Sequence, residues 1–319
     1  MKISVALCTY NGEKFIKEQL ESILNQTVSV DEIIICDDNS KDKTVSICQE
    51  ILSESGKEYI IIVNEASLGV SNNFLKALKM TTGDYIFTCD QDDVWLEKKV
   101  EIFISEAEKS NRLLYFSNGE LVDSNNHSLN KTLWDSINLK FSEIEGCASP
   151  LETILKRSIV TGAAMCVSRK LIEKVDSIPE NWLHDEWFSI IASVEKSITP
   201  INQMTFNYRQ HQNNVVGAVS KDFKTKITNW FGGFNSISHF RNHMQKRSLD
   251  ILCITKNTEF ENLAKKYYDF WNGLLLLSNS SFFKKIYFIF KNLFNGNYFC
   301  YYTGIRGFLR DLLLCFSNL

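Results

Sequence analysis

Proline is scarce, with 3 in 319 residues, and the 9 cysteines include no C-x-x-C pair. Together with 44% hydrophobic and 23% charged residues, the low proline content excludes a disordered or proline-rich chain. The missing thiol pairs remove the usual zinc-ligand rhythm. Cys8, Cys36, Cys89 and Cys166 instead lie in apolar runs, where a thiol acts as a small buried hydrophobe. An odd cysteine count with no secretory signal fits a reducing cytoplasm. The chain enters Ile3–Cys8 at once, too soon for a signal h-region and cleavage site. No apolar stretch reaches the roughly eighteen residues of a membrane span.

Charge is what the chain distributes unevenly. Its net charge is -3, yet residues 221–319 hold 14 Lys+Arg against 6 Asp+Glu. An acidic body therefore carries a basic, aromatic tail. The length suits one large domain with an appendage, or two domains.

Ile3–Cys8 reads as a buried strand ended by Thr9-Tyr10-Asn11-Gly12. Phe15, Ile16, Leu20, Ile23 and Leu24 follow at helical spacing. Further strands are expected at Glu32–Cys36, Tyr59–Val63 and Tyr85–Cys89, with helices marked by Val45, Cys48, Ile51 and Leu52 and by Phe74, Ala77 and Leu78. This alternation predicts crossover units and a parallel sheet. Each strand ends in residues able to bind a ligand: Tyr10-Asn11, Asp37-Asp38, Asn64 with Gly69, and Asp90-Gln91-Asp92-Asp93. Open α/β sheets bind ligands at that rim. Asp90 and Asp92, two apart, can face one ligand and suit Mg²⁺ or Mn²⁺. The plain alternative is four polar turns, with the acidic one capping a helix.

As an ordered set these residues resemble family-2 glycosyltransferases of the GT-A fold. The set comprises Val5–Gly12, Ile35–Ser40, Leu68–Phe74, Gly83–Ile86, Asp90–Trp95, Val160–Met165, His184–Trp187 and Tyr208–Asn214. The likeness covers roughly residues 2–217 and is nearest to bacterial rhamnosyltransferase-like members acting on surface polysaccharides. It implies an α/β, mixed sheet with helices on both faces. It also implies a nucleotide site at Thr9, Tyr10, Asn11, Asp38, Gly69 and Asp90, with Asp38 accepting from a pyrimidine imide and Tyr10 beside the base. Asp92 is implied as a metal ligand, with His211 at the metal or diphosphate, and Asp185 as the general base of an inverting transfer.

Alternatives stay open at several positions. Asp93 is expected to cap the next helix rather than share the metal. Asp185 could be a helix cap, and Glu186 is the rival base. Arg209 could meet phosphate or form a surface ion pair. Trp95, Trp182 and Trp187 could stack on a sugar, though core burial is commoner.

Helices are expected over Ser236–Cys253 and Glu259–Leu277. The Lys-interrupted aromatic run Phe282–Phe294 suits a helix lying in a membrane interface, or one packing on the catalytic domain or a second subunit. The acidic body disfavours nucleic acid. The expected organisation is a glycosyltransferase domain at 1–220 and a helical extension at 221–319. The expected function is transfer of a sugar, with L-rhamnose from a dTDP donor as one candidate, from a dTDP- or UDP-sugar to a glycan or lipid-linked glycan at the inner face of a bacterial plasma membrane. The rivals are a non-catalytic sugar-nucleotide or membrane-docking module, and a sugar nucleotidyltransferase. The latter usually carries a Gly-rich basic loop where this chain has Tyr10-Asn11-Gly12-Glu13.

Overall fold

The computed structural model describes residues 1–147, 149–211 and 234–316. The motif end at residues 212–214 and the expected domain boundary at 220 and 221 lie outside them. The chain forms two compact units, one from Met1–Pro150 with Ile159–Val219 and one from Leu151–Ser158 with Ser220–Leu319.

In the first unit the elements run β1 (Ile3–Thr9), α1 (Ile16–Leu24), β2 (Glu32–Asp37), α2 (Thr44–Glu54), β3 (Glu58–Val63), α3 (Val70–Met80) and β4 (Tyr85–Asp90). Then come β5 (Val94–Trp95), α4 (Lys99–Ser110), β6 (Leu114–Val122), β7 (Ser128–Thr132) and α5 (Leu133–Ser136). Past α6 (Leu151–Lys156), which belongs to the second unit, follow β8 (Met165–Ser168), α7 (Arg169–Glu173), α8 (His184–Val194) and β9 (Ile198–Arg209).

The strands form one sheet in the order β3-β2-β1-β4-β8-β6-β9-β5, with β7 paired to β6. β1 to β4 are mutually parallel, as crossover units require. β8 then runs antiparallel to both β4 and β6, which makes the sheet mixed. β1 is the middle of the parallel half, so both its faces are covered and its apolar run is continuous. Ile16, Leu20 and Ile23 of α1 join Val5, Leu7 and Phe87 in one buried apolar core. Burying each such side chain contributes about 1.5–3 kcal/mol.

β1, β2 and β4 each run one residue beyond expectation. Asp37 and Asp90 are therefore the last residues of strands, not the first residues of turns. Their backbones are fixed by the ladder, which aims the carboxylates.

The second unit holds α6 with α9 (Phe234–Ile254), α10 (Glu261–Leu276), α11 (Phe282–Phe294), α12 (Asn297–Tyr301) and α13 (Ile305–Phe316). Tyr267, Phe270 and Leu274 of α10 turn inward, as their spacing predicts. Phe270 meets Tyr298 edge to face at 5.3 Å. Asp311 is buried, accepting from Arg241 Nη2 at 2.8 Å and from the Tyr298 hydroxyl at 3.0 Å.

Candidate active site

β1 sits in register between its neighbours, with Cys8 opposite Cys36 on one side and Asp90 on the other, and Thr9 opposite Asp37. The carboxyl ends of β1, β2 and β4 thus form one rim.

Asp38, the first residue past β2, is buried. Its Oδ1 accepts from Asn64 Nδ2 at 2.9 Å and Leu68 N at 2.7 Å. Its Oδ2 accepts from Ser67 Oγ at 2.6 Å and Gly69 N at 3.0 Å. Burial opposes the charge, but these hydrogen bonds outweigh it and hold the carboxyl below its usual value. Four donors fill the acceptor capacity of a carboxylate. Here Asp38 holds the 64–69 loop, with all four donors internal to the protein. Gly69 likewise spends its N–H on Asp38, and its φ of 75° is one that a side chain resists.

Thr9 is also engaged, donating its buried hydroxyl to Asp37 Oδ2 at 2.7 Å. Asn11 Oδ1 accepts from Lys41 N at 2.8 Å, which ties the turn after β1 to the one after β2. The Tyr10 ring stands 56% exposed on the rim. Its peptide is bracketed by Gln91, whose Oε1 accepts from Tyr10 N at 2.8 Å and whose Nε2 donates to Tyr10 O at 2.9 Å. Sequence reasoning missed Gln91, because a Gln between aspartates carries no pattern of its own.

Past β4 the chain meets the end of β9. Asp92 Oδ2 lies 2.8 Å from His211 Nε2, and the His211 ring stacks on Phe15 at 4.9 Å. Asp93 is buried and accepts from Arg209 N at 3.0 Å. α4 begins only at Lys99 with Lys98 at its N-cap, so Asp93 does not make the expected cap. Arg209 does not form the surface ion pair. It is 2% exposed, donates from Nε to Asp92 O at 2.7 Å and from Nη1 to Ser124 O at 3.0 Å, and pairs with Glu18 at 2.5 Å. Its guanidinium fastens the acidic turn to β9.

The third contributor is Asp185, in the first turn of α8. Its Oδ2 accepts from Gly162 N at 2.9 Å and its Oδ1 from Glu186 N at 2.8 Å. The N-cap residue is Leu183, and Glu186 accepts from Leu183 N at 3.3 Å. Gly162 opens the short 3₁₀ turn before β8 and lies by the end of β4, where Thr88 Oγ1 donates to its carbonyl. A Cβ at Gly162 would sit 2.7 Å from His184 Nε2, so the close approach demands glycine. His184 stacks on Phe74 at 3.9 Å and is buried with no partner at either ring nitrogen. Burial pushes its pKa down to about 3, which keeps the imidazole neutral.

Lys99 was not singled out from sequence, since a lysine at a helix start reads as surface. It is fully buried, donates from Nζ to Ala163 O at 2.6 Å, and lies over the rings of Trp95 at 4.4 Å and Phe206 at 4.5 Å. Burial pushes its pKa down to about 8 against the pull of nearby Cys89, Asp93 and Asp90. Its charge partly offsets the carboxylates, and its hydrogen bond holds the turn that serves Asp185.

Electrostatics place these groups in one field. Burial, then Asp92 and Asp185, raises Asp90 to about 7. Burial, then Glu186, raises Asp185 to about 7 against its hydrogen bonds. Tyr208 is pushed up by burial and then by Asp93, Asp90, Asp92 and Asp185. The Cys8 thiol is raised by burial and, among other groups, by Asp90 and Asp38. Trp95, Trp182 and Trp187 are buried, the last two against each other at 5.3 Å, so none offers a face to a sugar.

Among the described residues no three His, Cys, Asp or Glu side chains form a metal-binding group. Asp92 and His211 do converge as a pair. One or two protein donors, with substrate phosphate oxygens and water completing the shell, is a common arrangement for Mg²⁺-type ions. The pair therefore fits a nucleotide-bound Mg²⁺ or Mn²⁺.

The sequence pattern of Glycosyl transferase family 2 matches residues 4–174. The chain is 33% identical over 235 residues to the dTDP-rhamnosyl transferase RfbG of Shigella flexneri, covering 69% of this chain and 76% of that protein. It is 32% identical over 123 residues to the Escherichia coli UDP-Glc:alpha-D-GlcNAc-diphosphoundecaprenol beta-1,3-glucosyltransferase WfgD. That match spans 39% of this chain and 47% of the relative, about half its length. The solved mannosyltransferase PcManGT of Pyrobaculum calidifontis, in complex with GDP-Man and Mn²⁺, superposes with a TM-score of 0.56 at 14% identity, covering 100% of this chain and 81% of that one. At that identity the likeness speaks for the fold alone, which is GT-A.

Proposed function

The chain belongs to glycosyl transferase family 2, and we propose that it is an inverting, metal-dependent glycosyltransferase whose general base is Asp185. The observation that supports this reading is that Asp185 accepts from Gly162 N, whose carbonyl in turn accepts from Thr88 of β4, the strand that ends at Asp90. Asp185 is held by two backbone N–H groups and has a pKa raised to about 7. A carboxylate so placed takes the proton from the acceptor hydroxyl as that oxygen attacks the anomeric carbon, and its pKa is near the working pH. The anomeric carbon–oxygen bond to the nucleoside diphosphate breaks on the opposite face, which inverts the configuration.

Asp92 and His211 would hold the cation, while Tyr10 and Asp90 line the nucleotide side. When bound, the cation supplies Lewis-acid stabilisation of the departing diphosphate. Asp38 acts on the donor through the loop that it folds. Should a nucleobase imide reach Asp38, one of its four internal donors must give way.

The donor is a dTDP- or UDP-sugar. dTDP-L-rhamnose is the first candidate, supported by the likeness to RfbG. The acceptor is a glycan or lipid-linked glycan, supported by the diphosphoundecaprenol in the name of WfgD. The odd count of cysteines supports a cytoplasmic site of action, with peripheral contact at the inner face of the membrane.

The test is a thermal-shift screen of nucleotide sugars with Mn²⁺ and with EDTA, followed by nucleoside diphosphate release in the presence of acceptor glycans. One pyrimidine donor should raise Tm only with metal and release its diphosphate on transfer. Equal shifts in EDTA would remove the metal from the reading.

A further inference from the structure

Among the described residues, the second unit carries an exposed apolar face that the catalytic reading does not use. On α11, Phe283, Tyr287 and Phe294 are 83%, 69% and 82% exposed. Their spacing, with Phe290 between, places them in one stripe along the helix. On α13, Leu309, Leu313 and Phe316 form a second stripe, 43%, 55% and 53% exposed. Ring contacts join the two helices. Phe282 touches both Phe283 and Phe316, with centroids 5.7 and 5.4 Å apart, and Phe290 touches both Phe294 and Phe308, at 6.3 and 5.4 Å. These pairings run in opposite senses along the two helices, which are therefore antiparallel neighbours sharing one outer face.

Charge identifies the occupant. Lys284 and Lys291 flank the α11 stripe, Arg306 sits beside the α13 stripe, and all three are exposed. The one acidic residue of the two helices, Asp311, is buried and engaged by Arg241 and Tyr298. Among the described residues Lys284, Lys291 and Arg306 have no carboxylate partner. A second copy docking by this face would set like charges against each other. An anionic lipid surface offers the opposite charge at the rim and an acyl interior for the aromatics.

We propose that α11 and α13 together dock the protein on an anionic bilayer, lying in its interface with Phe283, Tyr287 and Phe294 inserted. α11, at 13 residues, is about 20 Å long and lies flat. Among the described residues no helix is long and apolar enough to cross a membrane. The sequence pointed to α11 alone; the structure doubles the face by adding α13.

The experiment is cosedimentation of the full chain with vesicles of phosphatidylcholine alone or mixed with phosphatidylglycerol. No donor, metal or acceptor is present, so its outcome is independent of the catalytic assignment. Partitioning should be about tenfold or more stronger on the anionic vesicles and should weaken in high salt. Phe283→Glu with Phe294→Glu, at positions too exposed to disturb the fold, should abolish it. Lys284→Gln with Lys291→Gln should erase the preference for phosphatidylglycerol while leaving weak residual binding. The proposal is overturned if the wild type ignores both vesicles, or if the Phe→Glu pair binds as the wild type does. It is also overturned if light scattering shows a dimer that the Phe→Glu pair dissociates while vesicles recruit nothing, since the occupant would then be a second copy.

Discussion

Asp92 and His211 stand 119 residues apart in the chain and meet at 2.8 Å between Oδ2 and Nε2. The meeting is built by β9, whose Arg209 fastens itself to the acidic turn through Asp92 O and Asp93 Oδ1. If the pair shares one ion, losing either partner should cost most of what losing both costs. Asp92→Ala and His211→Ala should each weaken Mn²⁺-dependent binding of the nucleoside diphosphate by about tenfold or more, with the double variant little worse. Calorimetric titration checks this. Fully additive losses would assign the two side chains to different ligands.

Asp38 gives a prediction that separates two roles. A residue that only reads the base can be lost without harm to the empty protein. One that folds the 64–69 loop through four hydrogen bonds cannot. Asp38→Ala should lower stability by about 2–4 kcal/mol, through loss of charged hydrogen bonds and orphaned donors, and should weaken the donor as well. Chemical denaturation without ligand decides. Unchanged stability with weak donor binding would return Asp38 to a purely base-reading role.

As the proposed base, Asp185 would set the acid limb of the reaction. Burial, then Glu186, raises its pKa to about 7, and only the carboxylate can accept the proton. Transfer at saturating donor should therefore fall about tenfold per pH unit below pH 7. A rate constant unchanged down to pH 5.5 would exclude it as the base.

Stability should respond to pH through His184. Its folded pKa is about 3 because burial disfavours the imidazolium, against 6.5 for the ordinary group. Below pH 6.5 the unfolded chain takes up a proton that the folded one refuses. Stability is thus lost as pH falls from 6.5 towards 3, by about 1.4 kcal/mol per unit. His184→Gln should flatten part of that limb in thermal melts. An identical pH dependence in the variant would show that the ring protonates freely in the fold.

The parallel half of the sheet was legible because buried strands write themselves as apolar runs and their ends as polar breaks. That is how Asp37, Asp90 and the turn at Asn11 came to lie on one rim. The pairing of α11 with α13 was not legible, because the sequence of residues 305–316 does not show which helix lies beside it. Lys99 was hidden for the opposite reason, a charged type in a buried place, visible only once Trp95, Phe206 and Ala163 surround it. Asp38 and Arg209 show the limit of reading type as role. Asp38 holds the 64–69 loop besides any role at the base, and Arg209, for which phosphate and a surface ion pair were both open, is buried and fastens the acidic turn. Asp93 stands where a helix cap is expected from its position, but α4 begins six residues later.

The most direct measurement compares donor binding with transfer in Asp185→Asn. The amide keeps an oxygen for the Gly162 N–H but cannot take a proton. Donor affinity with Mn²⁺ should stay within about twofold while transfer falls by about a thousandfold. Transfer near the wild-type rate, or donor binding lost in step with it, would contradict a catalytic Asp185.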